Sequence, residues 1–178
     1  MSHSAKEVFF QLGTQYYFSG RFAVSARLLP VCGSLFHHAA EMYFKGVLSK
    51  TVTLSDLKRK YGKHNLTPMW SALKVQEADL ALNEFDQTIA ELNKFEDLRY
   101  PDQVLKTGML CTVDFGQPVS QPNGGLVRPE PHYTFHIEQV DSLVEVLFNK
   151  ASLNPKAFKP MGCGAINFEE PSIARAFR

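Results

Sequence analysis

The sequence predicts an all-α fold, an up-and-down bundle of about five helices with one long Pro-rich insertion before the last helix. Three observations predict it. Apolar residues recur at helical spacing through residues 4–98 and again over 137–150. Each candidate helix is bounded by residues that start or stop helices. Five of the ten prolines fall within 101–136, between the two helical regions.

Residues 4–28 form the first candidate helix, with Phe9, Leu12, Tyr16 and Ala23 near helical spacing. Gly13 and Gly20 weaken it by about 1 kcal/mol each relative to Ala, and they also mark places where a neighbouring helix can approach closely. Pro30 breaks the chain. The second helix, 31–49, is apolar on two adjoining faces: Leu35, Ala39, Met42 and Gly46 on one, Phe36, Ala40, Tyr43 and Val47 on the other. Its polar residues Ser34, His37, His38, Glu41 and Lys45 make one narrow stripe. A helix this apolar belongs at the centre of the fold, so its stripe must meet either solvent or a functional cleft.

"TLSDLKRKYG" predicts a short helix, capped at its start by Thr53 or Ser55 and closed by Gly62. Asn65 or Thr67 then caps a third main helix, with Pro68 acceptable in its first turn and Leu66, Met69, Trp70 and Leu73 as its buried edge. Residues 79–98 give the clearest amphipathic pattern, Leu82, Phe85, Ile89 and Leu92 opposite Glu84, Gln87, Glu91 and Lys94. That helix ends near "LRYPD", because the residue before Pro101 is disfavoured in the α region. "QPVSQPNGGLVRPEPH" is loop. Its flanks, "MLCTVDF" and "HYTFHI", have strand composition and predict a small β-hairpin. A last helix, 137–150, carries Ile137, Val140, Val144 and Leu147. The bundle is thus placed at 1–150. A Pro- and Gly-rich tail at 151–178 packs on it or extends from it, and its "MGCG" matches no chemistry.

A chain of 178 residues is about one domain and can bury a sizeable core without staples. The formal net charge of +1 excludes a polycation, so any attraction to nucleic acid must be local. Cys32, Cys111 and Cys163 are odd in number, widely spaced and lack a Cys-x-x-Cys pair. That argues against a disulfide framework or a zinc ribbon and fits a reducing cytosol. No apolar run reaches the roughly 20 residues of a membrane span, and no leader pattern opens the chain. The expectation is a soluble, cytoplasmic protein with no membrane partner and no cofactor.

Charge is unevenly spread. Between Lys45 and Lys63 the basic residues Lys45, Lys50, Lys58, Arg59, Lys60 and Lys63 face only Asp56, a local net charge of +5. Between Glu77 and Asp102, eight acids face Lys94 and Arg99, a local net charge of −6. The basic segment suits phosphates, and the acidic one suits a basic protein partner. Either can equally be a solvated face, or the two can neutralise each other within a bundle or across a dimer.

Several side chains could carry chemistry. Glu41 and Lys45, four apart in the favourable order, read as a helix ion pair or as the lining of a cleft. His37, His38 and Glu41 raise metal binding, but a di-iron bundle needs Glu-x-x-His from two helices, and no second copy exists. His64 can act as a general acid or base near neutral pH, with Arg59 steadying a phosphate through its planar fork. That pair would suit metal-independent RNA cleavage, the histidine moving a proton and the arginine stabilising charge on the phosphorane. His64 can equally pack in a turn. Arg99 can complement a helix C-terminus or turn into a cleft beside His64.

Taken in order, "FHHAAEMYFKGVL", "KYGKHNL", "LRYPD" and a terminal amphipathic helix resemble the HEPN domain family over about residues 5–150. The matching positions are Ala39, Ala40, Glu41 and Lys45, then Gly62, His64, Asn65 and Leu66 with Lys63 inserted, then Arg99, Tyr100 and Pro101. The resemblance implies a helical bundle that usually dimerises. Many members are ribonucleases of toxin–antitoxin and defence systems, and others are RNA- or nucleotide-binding partners of nucleotidyltransferases. The family's nuclease motif is an arginine, four to six residues, then a histidine in a late helix. Here that spacing occurs at Arg59–His64, before the third main helix. The resulting expectation is a homodimer that binds RNA or a nucleotide along Glu41, Lys45, Arg59, Lys60, Lys63, His64, Asn65, Arg99 and Tyr100. Ribonuclease activity and a non-enzymatic protein-interaction role are the alternatives.

Overall fold

The computed structural model describes residues 4–100, 102, 105, 106, 108–114 and 132–158. Ser4 starts helix α1 (Ala5–Ser25) with a reciprocal cap: its hydroxyl accepts from the Glu7 N–H, and Glu7 Oε2 accepts from the Ser4 N–H at 2.8 Å. Helix α2 (Val31–Leu48) returns antiparallel against α1, and the two form the most extensive pairing in the fold. Gly13 and Gly20 make that approach possible. A Cβ added at Gly13 would lie 2.9 Å from the Tyr43 ring, and one at Gly20 would lie 2.8 Å from the Phe36 ring.

The buried face of α1 differs from the expected one. Phe10, Tyr17 and Phe18 are buried, whereas Leu12 and Tyr16 are exposed. The glycines select this face, because Tyr17 lies on the same side of the helix as Gly13 and Gly20 and turns inward with them. On α2, Phe36, Ala39, Ala40, Tyr43, Phe44 and Val47 are all buried, which puts this helix at the centre.

Helix α3 (Leu54–Tyr61) is capped by Thr53, whose hydroxyl accepts from the Asp56 N–H at 3.2 Å. Helix α4 (Leu66–Glu77) is capped by Asn65, whose Oδ1 accepts from the Thr67 N–H at 3.0 Å. Leu66, Met69, Trp70 and Leu73 are buried as the pattern predicts.

Residues 79–98 are not one continuous α-helix. A 3-10 turn (Leu80–Phe85) leads into α5 (Asp86–Lys94), and a second 3-10 turn (Phe95–Arg99) follows. The buried stripe Leu82, Phe85, Ile89 and Leu92 is nevertheless as predicted and runs on to Phe95. The three-residue steps at its two ends suit the 3-10 geometry, in which residues three apart eclipse.

The strands β1 (Leu110–Asp114) and β2 (His132–His136) pair, but in parallel, with Leu110 opposite His132 and Asp114 opposite His136. This corrects the expected hairpin. A hairpin needs antiparallel strands and a tight turn, whereas a parallel pair needs a crossover of about a dozen residues or more, and 115–131 are long enough to supply one. The Pro-rich loop itself lies outside the described residues. Tyr133 and Phe135 of β2 are buried against Phe95, with ring centroids 5.6 Å away in each case. Helix α6 (Ile137–Ala151) buries Ile137, Val140, Val144 and Leu147. A final 3-10 turn (Pro155–Phe158) packs Phe158 on Phe148 at 5.5 Å, and the rest of the tail, with "MGCG" and Cys163, lies outside the described residues.

The coarse expectation therefore holds: the described residues are mostly helical, with one small sheet. No helix among them is long and apolar enough to cross a membrane. Cys32 and Cys111 are free thiols, and burial pushes them up to about 12 and about 11. Burial thus disfavours the thiolate, the reactive form, at both.

One polar cluster ties α1 to α6. Tyr17 Oη donates to Asp141 Oδ1 at 2.6 Å, and Arg21 Nη1 donates to Asp141 Oδ2 at 3.2 Å. Burial pushes the Asp141 carboxyl up to about 6, outweighing the downward pull of Arg21 and Tyr17, and Glu138 and Glu145 push the same way. An acid whose folded pKa lies above its ordinary 3.8 costs stability as pH rises from there to about 6. Asp141→Asn is expected to abolish that loss. Denaturant midpoints measured from pH 4 to 7 check it, with the wild type falling by up to about 3 kcal/mol more than the variant. Parallel profiles would contradict it.

Candidate functional site

The polar stripe of α2 converges on one carboxylate. Glu41 is fully buried, yet three cationic or ionisable side chains reach it. Lys45 Nζ, one turn along α2, donates to Oε1 at 2.5 Å. His38 Nδ1, one turn back, lies 3.4 Å from Oε2. His64 Nδ1 lies 3.0 Å from both oxygens.

His64 comes from the turn between α3 and α4, and its φ of 57° puts it in the left-handed region. A non-glycine residue held there costs of the order of 1 kcal/mol or more and persists where the surroundings enforce it. Here the enforcement is local: Gly62 ends α3, Asn65 caps α4, and Asn93 of α5 accepts from the Leu66 N–H at 2.7 Å. The backbone turn at His64 sends its ring to Glu41.

The cluster is graded from inside to outside. Glu41 is sealed, Lys45 is 13 % exposed, His38 29 % and His64 35 %. Burial pushes the Glu41 carboxyl up, but the hydrogen bonds of His38, Lys45 and His64 outweigh it and hold the group at about 2. Glu41 is therefore ionised at any physiological pH. A carboxylate can only accept, so His64 Nδ1 must carry the proton that is shared. In the neutral ring this leaves Nε2 with its lone pair, the arrangement by which a carboxylate orients an imidazole base.

His37 behaves differently. It is almost fully buried, its Nδ1 bonds the Leu92 carbonyl at 3.0 Å, and burial lowers its pKa, so the ring is neutral. Its Nε2 lies 3.6 Å from Glu96 Oε2, beyond hydrogen-bond reach. His37, His38 and Glu41 bring ligand atoms within 4.8 Å of one another, the set that could hold a metal ion. Both oxygens of Glu41 already accept hydrogen bonds, and Lys45 contributes a full positive charge at 2.5 Å. A cation would have to displace that lysine or sit beside it, so the donor set suits protons better than a metal.

The remaining sequence-predicted residues divide as follows. Arg59 is exposed on α3 and donates to Asp56 Oδ1 at 2.5 Å, one turn back on its own helix. Lys58, Lys60 and Lys63 are exposed and make no salt bridge among the described residues. Asn65 serves as a helix cap. Tyr100 is exposed, and Arg99 closes the 3-10 turn with its side chain outside the described part. Of the acidic segment, Glu77 pairs with Lys50, Asp79 with Lys150, Asp86 with Lys74 and Glu91 with Lys94. Much of its charge is thus neutralised inside the fold.

Sequence reasoning missed Tyr16. Its ring lies 5.4 Å from that of His38, beside the cluster rather than in the core. The spacing of Gly13, Tyr17 and Gly20 carried the signal, because it assigns the inward face to Tyr17 and leaves Tyr16 outside. No protein-family model, curated protein or solved structure matches the chain.

Proposed function

We propose that the protein is a HEPN-like helical domain that binds RNA or a nucleotide where His64 meets the basic end of α3. One observation carries the reading. A partly exposed histidine is held by a strained turn on a buried, ionised glutamate, close in sequence to three lysines without a salt bridge among the described residues. Lys58, Lys60 and Lys63 supply a local positive field for phosphates, and His64 supplies an oriented donor or acceptor. Lys45 takes the ion-pair role of its two expected ones, and in this reading it neutralises Glu41.

Three phosphate contacts predict weak, salt-sensitive binding, with a slope of about −2 in log K against log salt for a single strand. Filter binding across a salt series measures it. Replacing Lys60 and Lys63 by alanine is expected to lower the slope by about 1.4. Affinity that ignores salt would remove the phosphate contacts and the reading with them. The HEPN resemblance adds a homodimer acting with an antitoxin or a nucleotidyltransferase, and light scattering on the purified chain tests the dimer.

Metal-independent endoribonuclease activity is the second reading. It is favoured by the pairing of His64 Nδ1 with Glu41, which leaves Nε2 to move a proton. Arg59 would have to leave Asp56 to reach a phosphorane. His64→Ala is expected to cut such cleavage by about 10²- to 10⁴-fold. Cleavage that survives in the variant assigns the activity elsewhere.

A further inference from the structure

We infer that Tyr16, His38 and His64 form a stacking surface for an unpaired nucleobase, so that the ligand is single-stranded RNA. The inference rests on the RNA-binding reading and specifies what the site recognises.

Three rings from three elements form a continuous row. Tyr16 of α1 lies 5.4 Å from His38 of α2, centroid to centroid and tilted by 41°. His38 lies 6.0 Å from His64, edge to face at 86°. All three are partly exposed, Tyr16 at 37 %. The row is fixed from beneath, because both imidazoles turn Nδ1 to Glu41 and their rings cannot rotate freely without losing that contact. A base therefore meets an ordered surface, which lowers the entropy lost on binding.

Stacking accounts for a feature that phosphate binding leaves unused. Tyr16 takes no part in the core, since the adjacent Tyr17 fills the inward position. An exposed tyrosine beside His38, which in turn meets His64, with Lys60 and Lys63 close to His64 in sequence, combines the two components of single-strand binding: rings for bases and cations for the backbone. A duplex hides its base faces in its own stack and cannot use such a surface.

Fluorescence anisotropy with the full chain tests the inference. Two labelled probes are compared at low salt: an oligouridine of about ten nucleotides, and an abasic oligonucleotide with the same number of phosphates. The wild type should bind oligouridine roughly 5- to 150-fold tighter than the abasic strand. Tyr16→Ala should bring oligouridine down towards the abasic level, while Tyr16→Phe should retain the wild-type preference because stacking needs the ring and not the hydroxyl. Equal wild-type affinity for both probes would overturn the stacking surface and leave the phosphate reading standing. Binding of neither probe would overturn both. A thermal melt of Tyr16→Ala matching the wild type confirms that lost binding is not lost fold. If that melt is lowered, Tyr16→Phe decides: a retained preference for oligouridine supports the stacking surface, and a lost one overturns it.

Discussion

Glu41→Leu is expected to destabilise the protein by about 3 kcal/mol at neutral pH. Removing one partner of a buried charge cluster typically costs about 3–5 kcal/mol, because the opposite charge is left uncompensated. The lower end applies here, since Lys45, His38 and His64 all keep some exposure and can turn towards water. Glu41→Gln should cost less, because an amide oxygen still accepts a hydrogen bond from Lys45 or His64.

The two variants also share a signature in pH. The folded pKa of Glu41, about 2, is depressed from an ordinary 4.5. Its contribution is therefore complete above pH 4.5 and is lost as pH falls from 4.5 to about 2. A shift of that size corresponds to about 3 kcal/mol, consistent with the substitution cost. Urea unfolding from about pH 2 to pH 7 should show this acid limb reduced in both variants. A wild-type limb in Glu41→Gln, or a Glu41→Leu protein as stable as the wild type, would mean that the carboxylate is not the hub of the cluster.

Gly33→Ala should lower the melting temperature by about 4–8 °C. An added Cβ would lie 2.0 Å from Phe95 Cε1 and 2.2 Å from Cδ1. Phe95 cannot give way easily: it is 1 % exposed and wedged between Tyr133 and Phe135. Two effects compete. Alanine gains about 1 kcal/mol over glycine inside a helix. Overpacking of a filled core costs about 1–3 kcal/mol and sometimes more, and an overlap this close lies at or beyond the upper end. The clash wins by about 2 kcal/mol, which for a chain of 178 residues corresponds to the stated shift. Calorimetry checks it, and a higher melting temperature would show that Phe95 has room to move.

Local signals were legible in the sequence. Thr53 and Asn65 act as caps because their side chains bond N–H groups two or three residues away, within the same stretch of chain. Gly13 and Gly20 foretold a close helix pair, since glycine is unfavourable in a helix unless space demands it. The polar stripe of the buried helix called for polar partners, and the Glu41–Lys45 pair lies within it; that His64 would supply a further partner is not contained in the stripe.

Other features depended on distant partners. Apolar periodicity treats Tyr16 and Tyr17 alike; the glycine spacing that separates them takes effect only through the helix packed against Gly13 and Gly20. Arg59 sits at a suggestive spacing from His64, yet Asp56 is its neighbour on the helix surface and takes its charge. The parallel pairing of β1 and β2 lay beyond reach because strand composition is blind to direction, which is settled by the path of the connecting chain.

The order of residues alone sets where most helices begin and end, which helix is central, and which polar side chains that helix must satisfy. These follow from backbone hydrogen bonding and apolar periodicity over a few residues. It took the packed molecule to settle that Glu41 is sealed while His64 and Tyr16 reach the surface. Burial and ionisation depend on what other elements bring within a few ångströms, and the spacing of residues along one chain does not contain that distance.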